Sequence, residues 1–326
     1  MKKLLVPALV LIAVCALAFS GCQKKAEGQK TESQKRVAYI ARAQGDSFAA
    51  WLANSVKEEA KNYSGISVTV MDGQADNDKI SSLLENCISN KYDLVILQPN
   101  DGVAQTPYIQ KVIDAKIPII LTNPRVPGLE SVTNSVDADP YEQAAVNARF
   151  AMNQIPQNAK VVVLNGPAGN MHSTARRESW AKEFFAKRPD VKIVGEQIAN
   201  WNKDEAMRYM EDWVQTNDLI DAVVSMNDNM AAGAIEVIKD NPKYNNLLVY
   251  GVDGTAEAAL LIQEGRMTST SFQNAYELGR KNVELADQIL TGKVTGLVNT
   301  DIDCPLITKD NVQLLIDAHK VTGAIK

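Results

Sequence analysis

Short β-branched runs alternate with amphipathic stretches along the chain from Arg36 onward, and this alternation limits the possible folds more than any other feature. The runs predict strands at 36–42, 66–71, 93–97, 117–122, 160–165, 191–198, 221–226, 247–252 and 268–272. Helical spacing lies between them, as in 275–291, where apolar residues recur at three- and four-residue steps. Continuous apolar strands separated by helices are typical of parallel sheets covered on both faces, so we expect an α/β fold.

The alternating pattern occurs twice. The run at 92–97 is echoed by 220–225, and the strand at 36–42 with its glycine turn is echoed by the strand at 160–165. Two similar halves are therefore expected. In open α/β sheets, ligands bind beyond the carboxyl ends of the strands, so two such sheets facing each other would enclose one ligand in a cleft.

The first 21 residues have the order of an export signal. Lys2 and Lys3 precede an apolar stretch too short for a comfortable membrane span, and small residues follow it. The end, Phe19-Ser20-Gly21-Cys22, resembles a bacterial lipobox, with Phe19 in place of the usual Leu. Residues 1–21 are thus predicted to be a lipoprotein signal peptide, Cys22 the lipidated residue and 22–35 a polar, flexible tether. Plain secretion is the alternative.

Charge and cysteine content exclude several classes of protein. The formal net charge is −5 and no block of like charges occurs, which argues against a nucleic-acid binder or a general binder of anionic lipid. We expect membrane attachment through the lipid anchor only. The composition is compatible with a binder of small neutral molecules. Cys87 and Cys304 are available for a disulfide in an exported protein, but cysteines so far apart are more often buried singly. Their pairing stays open at this stage.

Polar and aromatic residues collect at the predicted strand ends. Amides, carboxylates and an arginine can fork onto the hydroxyls of a polyol, and aromatic rings can stack on its C–H faces. The alternative is a purely structural role, in which Asp46 or Asn227 only caps the following helix. The residues at these ends are Asp46, Phe48, Asn123, Asn170, His172, Arg176, Asn200, Trp201, Asn227, Asp228, Asp253 and Gln273.

From Arg36 to Lys326 the chain resembles the type I periplasmic sugar-binding proteins, most closely the glucose/galactose-binding members and more distantly the ribose-binding ones. Five motifs carry the resemblance: Gly45-Asp-Ser-Phe48, the glycine loop 166–176, Asn200-Trp-Asn202, Asn227-Asp-Asn-Met-Ala231 and Gly251-Val-Asp-Gly254. It implies that Phe48 and Trp201 form two walls around a sugar ring. It further implies hydroxyl contacts from Asp46, Asn123, Asn170, His172, Arg176, Asn227, Asp253 and Gln273.

The chain departs from the glucose/galactose pattern at four positions. Pro124, with Arg125 after it, replaces a basic residue, and Arg42 replaces an aromatic one and has no assigned role. Asn170 stands for a His and His172 for an Asp, so the hydroxyl preference is open.

The resemblance also implies an architecture. We expect two hinged Rossmann-like lobes with parallel sheets, of periplasmic-binding-protein type I. The predicted N-terminal lobe is 36–137 plus 273–303, and the C-terminal lobe is 138–272 plus 304–326. Crossovers are predicted near 136–139, 270–274 and 301–305.

The resemblance implies a binding function. The chain would be a monomer that captures a monosaccharide, a glucose- or galactose-like pyranose, by hinge closure and delivers it to an ABC permease. The alternatives are a sugar sensor that presents its closed form to a chemoreceptor or histidine kinase, and a binder of a pentose or inositol.

An enzymatic role has little support in the sequence. His172 and His319 are the two histidines, no Cys and His pair has zinc-ligand spacing, and no Gly-x-Ser-x-Gly elbow occurs. His319 is expected far from any glycine turn. Asp46 and Asp253 could form a glycosidase pair, but a binding site uses the same residue types.

No cofactor or metal is expected either. A calcium loop would need several closely spaced acidic ligands, which 152–158 lacks. The acidic residues between Asp72 and Asp78 are instead predicted to cap and begin a helix at 78–90.

Overall fold

The computed structural model describes residues 34–326. The predicted signal peptide, the lipidation site Cys22 and the tether up to residue 33 lie outside the described residues. The first strand begins at Lys35, one residue inside the predicted tether.

Ten α-helices and twelve strands follow one another in the described part of the chain. The strands are β1 Lys35–Ala41, β2 Ile66–Asp72, β3 Leu94–Leu97, β4 Ile119–Thr122, β5 Asn134–Ala138, β6 Lys160–Asn165, β7 Lys192–Ile198, β8 Ala222–Ser225, β9 Leu248–Asp253, β10 Ser269–Phe272, β11 Asn299–Ile302 and β12 Leu306–Thr308. The helices are α1 Ser47–Glu59, α2 Asn77–Ser89, α3 Gly102–Asp114, α4 Pro140–Ala151, α5 Met171–Trp180, α6 Lys203–Thr216, α7 Asp228–Ile238, α8 Ala256–Gln263, α9 Ala275–Leu290 and α10 Val312–Val321.

The strands form two six-stranded sheets. The first has the order β11-β5-β4-β3-β1-β2 and the second β12-β10-β9-β8-β6-β7. Every pairing is parallel except that of β12, which runs antiparallel to β10. Apolar strands such as β3, buried at all four positions, are covered by helices on both faces. The predicted α/β class is confirmed.

The chain passes between the two sheets three times, after β5, after β10 and after β11. We call the first sheet with α1, α2, α3 and α9 the N-terminal lobe, and the second sheet with the other helices the C-terminal lobe. The lobe boundaries drawn from the sequence stay a prediction, which the sheet membership of the strands supports.

Three strands are absent from the sequence-based prediction: β5, β11 and β12. The predicted crossovers at 136–139 and 301–305 overlap the first two of them. Asn-Ser-Val-Asp-Ala of β5 lacks a β-branched run, yet all five residues are buried. Its polar side chains are bonded to neighbouring strands, as where Ser135 donates to the Asn299 side chain at 2.8 Å. A polar sequence therefore forms an interior strand because its hydrogen bonds are satisfied locally.

Side chains at the helix starts position the loops that follow the strands. Asp76 caps α2 by accepting the backbone N–H of Lys79 at 2.9 Å, so the predicted capping role of the acidic cluster is confirmed. Asp46, Asn170 and Asn227 cap α1, α5 and α7 in the same way. Each capping residue follows the carboxyl end of a strand and therefore lies at that edge of its sheet.

Two further observations concern cysteines and membranes. Cys87 and Cys304 are free thiols, the first buried in the N-terminal lobe. Among the helices of residues 34–326, none has the length and apolar character needed to cross a membrane.

Candidate functional site

The carboxyl ends of both sheets line a small cavity between the lobes. All ten residues to which the family resemblance assigns a ligand contact line it, together with Arg42 and Pro124, whereas the strand-end residues Asn200 and Asp228 do not. Its lining is Arg42, Asp46, Phe48, Asn123, Pro124, Asn170, His172, Arg176, Trp201, Asn227, Asp253 and Gln273.

Asp46 has two roles at the N-terminal side of the cavity. Its Oδ1 accepts the backbone N–H of Ala49 at 2.7 Å, which caps α1, and lies 3.1 Å from the Arg42 guanidinium. Its Oδ2 is buried and has no partner. Capping and lining the cavity are therefore compatible, since each uses a different oxygen.

Asn123 presents a comparable arrangement at the end of β4. Its Oδ1 accepts a hydrogen bond from Gln98 Nε2 at 3.0 Å, while its Nδ2 is buried without a partner. Asn123 has a φ of 45°, a left-handed conformation that asparagine tolerates better than most residues. Arg125, the basic residue that follows Pro124, does not line the cavity and lies against Asp137 and Asp301.

Two aromatic rings line the cavity from opposite lobes. Phe48 is in the first turn of α1 and 3% exposed, and Trp201 follows β7 and is 5% exposed. The Trp201 ring lies against Gly166, where an added Cβ would approach the ring to 2.2 Å. Glycine is therefore required at 166 for the ring to occupy its place. That the two rings clamp a ligand stays a prediction.

Arg176 is the centre of a hydrogen-bonded network on the C-terminal side. It is 3% exposed, and its guanidinium also lies 5.5 Å from the Trp201 ring. Its nitrogens contact the Gln143 side chain at 2.8 Å, the Met226 carbonyl at 2.7 Å, the Gln273 side chain at 2.9 Å, His172 Nδ1 at 3.3 Å and the Asp253 carboxyl at 3.5 Å.

Two buried carboxyls of the C-terminal lobe lie close to this network. Burial raises the pKa of Asp253 well above its usual range, and the Arg176 charge offsets this only in part. Burial also raises the pKa of Asp228 to about 7, although Thr270 and the backbone N–H of Thr255 bind its carboxyl. Asp228 lies behind the cavity and does not line it. The Asp228 charge also raises the pKa of Asp253.

Two contacts join the lobes beside the cavity. The Asn170 side chain donates to the backbone carbonyl of Asn100 at 3.1 Å, and its other end accepts the backbone N–H of Ser173. His172 Nε2 lies 3.3 Å from the Asp137 carboxyl of β5, without the alignment of a hydrogen bond. Burial lowers the pKa of His172, which the Asp137 carboxylate opposes. The two loop positions that depart from the glucose/galactose pattern thus contact the opposite lobe.

Three buried polar atoms of the lining residues have neither a hydrogen-bond partner nor an ion-pair contact in the protein. Buried polar groups are nearly always hydrogen-bonded, so unpaired ones that share a cavity can bind water or a polar ligand. They are Asp46 Oδ2, Asn123 Nδ2 and Gln273 Nε2.

The sequence reasoning missed some residues and misplaced others. Arg42 lines the cavity, and its position directly after β1 is the signal that identified the other strand-end residues. Asn200 is exposed and donates to Glu205 instead. The expectation that His319 lies far from any glycine turn is wrong: its Nε2 is 2.8 Å from the Gly254 carbonyl, because α10 returns to pack on α8.

No group of three or more His, Cys, Asp or Glu side chains suited to a metal ion occurs between residues 34 and 326.

Comparisons with known proteins converge on one family. The sequence profile described as a periplasmic binding protein domain matches residues 37–294. The ribose import binding protein of Bacillus subtilis is 29% identical over 259 residues, which cover 79% of this chain and 82% of that protein. The D-allose-binding periplasmic protein of Escherichia coli is 28% identical over 256 residues, 76% of this chain and 82% of that protein.

A solved structure is similar over nearly its whole length. It is an ABC transporter solute binding protein from Bacillus halodurans with bound myo-inositol. The TM-score is 0.83 at 27% identity, with 89% of this chain and 99% of that chain covered.

Proposed function

The chain belongs to the periplasmic binding protein domain family, and from this we propose that it captures one small polyhydroxylated ring between its lobes and delivers it to an ABC permease. A single observation carries the proposal: unpaired, buried hydrogen-bonding atoms and two aromatic rings share one cavity. Hydroxyls both donate and accept, so a polyol can satisfy all of these atoms at once.

We further propose a six-membered ring as the ligand. A glucose- or galactose-like pyranose is the ligand that the sequence predicts, and myo-inositol is the one bound in the similar structure from Bacillus halodurans. The ribose and allose named in the two relatives keep a pentose or another hexose epimer among the ligands to test. The small size of the cavity favours a monosaccharide over a disaccharide.

Isothermal titration calorimetry of the mature protein tests this proposal. The panel is glucose, galactose, allose, xylose, ribose and myo-inositol, with maltose as a control for size. We expect a dissociation constant near a micromolar, about 8 kcal/mol of binding free energy, for one of the monocyclic ligands. If no ligand of the panel gives a heat signal, the assignment is contradicted. Product formation on long incubation would indicate an enzyme.

A pair of matched variants ties the binding to the cavity. Asp46→Asn and Asp76→Asn both keep a good capping residue at a helix start in the same lobe. Only Asp46 lines the cavity, so its variant loses a charge-assisted hydrogen bond to the ligand, about tenfold in affinity. Equal affinities of the two variants would place the ligand elsewhere.

The partner is proposed from the family. Closure gives the ligand its differential affinity for one arrangement of the lobes, and that arrangement would be recognised by the permease. We expect a monomer that forms a ligand-dependent complex with a purified permease. A ligand-dependent complex with a histidine-kinase ectodomain or chemoreceptor, and none with a permease, supports sensing instead.

We also propose that Cys22 carries the lipid that holds the protein on a bacterial membrane. Mass spectrometry of the N-terminal peptide from membranes should show a diacylated cysteine, and Cys22→Ser should release the protein from the membrane fraction. An unmodified Cys22 in an intact mature protein supports plain secretion.

A further inference from the structure

Two buried glutamines stand behind the cavity, one in each lobe. Gln98 and Gln143 are both completely buried and neither lines the cavity. Each contacts an amide side chain that does, namely Asn123 and Gln273. We propose that Gln98 and Gln143 are positioning residues, which turn the amides of Asn123 and Gln273 so that both present N–H donors to the ligand.

In the N-terminal lobe, a backbone group determines the direction of the hydrogen bonds. The backbone N–H of Arg42 donates to Gln98 Oε1 at 3.1 Å. A backbone N–H can only donate, so the oxygen of Gln98 must face it. Gln98 Nε2 then donates to Asn123 Oδ1 at 3.0 Å. The Nδ2 group of Asn123 is the end left for the cavity, and it has no partner in the protein.

In the C-terminal lobe, an arginine has the same effect. Arg176 Nε donates to Gln143 Oε1 at 2.8 Å, and a guanidinium has no acceptor. Gln143 Nε2 therefore donates to Gln273 Oε1, which also accepts from Arg176 at 2.9 Å. With its oxygen held by two donors, Gln273 has only Nε2 left, and this atom is buried and unpaired.

The arrangement defines what the ligand must offer, and it rests on the proposed function. Asn123 and Gln273 require an acceptor, which a hydroxyl, a ring oxygen or, more weakly, a C–F group supplies. The free Oδ2 of Asp46 requires a donor, which only a hydroxyl supplies. Replacing single hydroxyls by hydrogen or fluorine therefore distinguishes the two kinds of contact.

The test uses Gln98→Glu in the mature protein. The carboxylate still accepts the Arg42 N–H but cannot donate, so Asn123 is expected to turn its Nδ2 toward residue 98 and its Oδ1 toward the ligand. Gln105→Glu is the matched control, because Gln105 is a completely buried glutamine of the same lobe that is bonded to Asn77 and Asn100 and does not line the cavity.

The probes are the monodeoxy and monodeoxyfluoro analogues of glucose, allose, ribose and myo-inositol, titrated wherever the parent binds. In the wild type, fluorine at a position facing an amide should bind about fivefold better than hydrogen there, and worse than hydrogen at the position facing Asp46. Gln98→Glu should reverse the order at one amide position, and Gln105→Glu should leave every order unchanged. If Gln98→Glu weakens the parent and all analogues by one common factor, or changes nothing, the positioning role is refuted.

A measurement without ligand separates this inference from the proposed function. Neutron diffraction of the deuterated protein locates the side-chain deuterons of Asn123 and Gln273. Deuterated nitrogens toward the cavity in the wild type, and the oxygen of Asn123 there in Gln98→Glu, support the inference even if no sugar binds. Oxygens toward the cavity in the wild type overturn it.

Discussion

The two walls of the cavity are built differently. On the C-terminal wall, Arg176 joins the lining residues into one hydrogen-bonded network. On the N-terminal wall, Asp46 is held by the cap of α1 and by the Arg42 guanidinium, and Asn123 is held by Gln98, so that only the backbone of Arg42 links the two sets of contacts. Substitutions within one hydrogen-bonded network have coupled effects on the free energy of binding, whereas substitutions of separately held residues have nearly additive effects. We therefore expect a cooperative wall facing one whose contacts can be altered one at a time.

The largest expected effect is loss of the centre of the C-terminal network. Arg176→Met leaves the Asp253 carboxyl and the oxygen of Gln143 without their donor, and it removes one of the two donors to the oxygen of Gln273. We expect affinity to fall more than about 100-fold and the free energy of unfolding to fall by about 3 kcal/mol. Calorimetry and urea denaturation measure the two quantities. Arg177→Met is the control, because Arg177 is the next residue in the chain but is partly exposed and pairs with Glu196. Similar losses in both variants would show that the network has no special role.

The second effect tests the aromatic walls. Trp201→Ala removes stacking and burial worth about 2 kcal/mol, or roughly thirtyfold in affinity. Gly166→Ala should have a similar effect without touching the ring, because the new Cβ would displace it. Gly45→Ala, in the corresponding turn of the other lobe, meets nothing within 4 Å and should bind normally. Normal binding by Gly166→Ala would mean that the ring position is unimportant.

The third effect compares one completely buried aspartate from each lobe. Burial raises the pKa of Asp228 from 3.8 to about 7, so its contribution to stability is present below pH 3.8 and is lost as pH rises through 7. Burial alone would raise the pKa of Asp137 as well, but His172 and the backbone N–H groups of Arg125 and Ala138 lower it below 3.8. Its contribution is present above pH 3.8 and is lost as pH falls through the lowered value.

Urea denaturation across pH therefore separates the two lobes. Compared with the wild type, Asp228→Asn should remove a decline in unfolding free energy between pH 4 and 7, at most about 1.4 kcal/mol per pH unit. Asp137→Asn should change the slope only on the acid side. The same change of slope in both variants would contradict the assignment.

The smallest effect concerns the contact between the walls. Asn170→Asp keeps the cap of α5 but cannot donate to the Asn100 carbonyl, so the contact between the lobes weakens and affinity should fall about threefold. Stopped-flow fluorescence should show this as faster ligand release with little change in association. Slower association at an unchanged release rate would mean that Asn170 does not hold the lobes together.

The sequence predicted the strands that a β-branched run defines, and it failed where polar residues form a strand. The ends of β6 coincide with the prediction, whereas β5 was missed because the partners that satisfy Asn134 and Ser135 come from Asn299 and its neighbours, far along the chain. Ten of the twelve lining residues were predicted, because parallel strands bring their carboxyl ends to one edge and because the family resemblance covers these positions.

The directions of the hydrogen bonds lay beyond the sequence. Nothing local distinguishes Gln98 or Gln143 from any other glutamine, because their roles depend on contacts across 56 residues to Arg42 and 130 residues to Gln273. The strand-end positions indicate most of the side chains that line the cavity, but the donor and acceptor ends of those side chains follow only from the three-dimensional network.

The three passages of the chain between the sheets have a consequence for proteolysis. A single peptide bond cut in any one of these connections divides the chain into two fragments, but at least one sheet is then built from strands of both fragments. The hydrogen bonds of that shared sheet hold the fragments together, so a nicked molecule should migrate as two fragments only after denaturation.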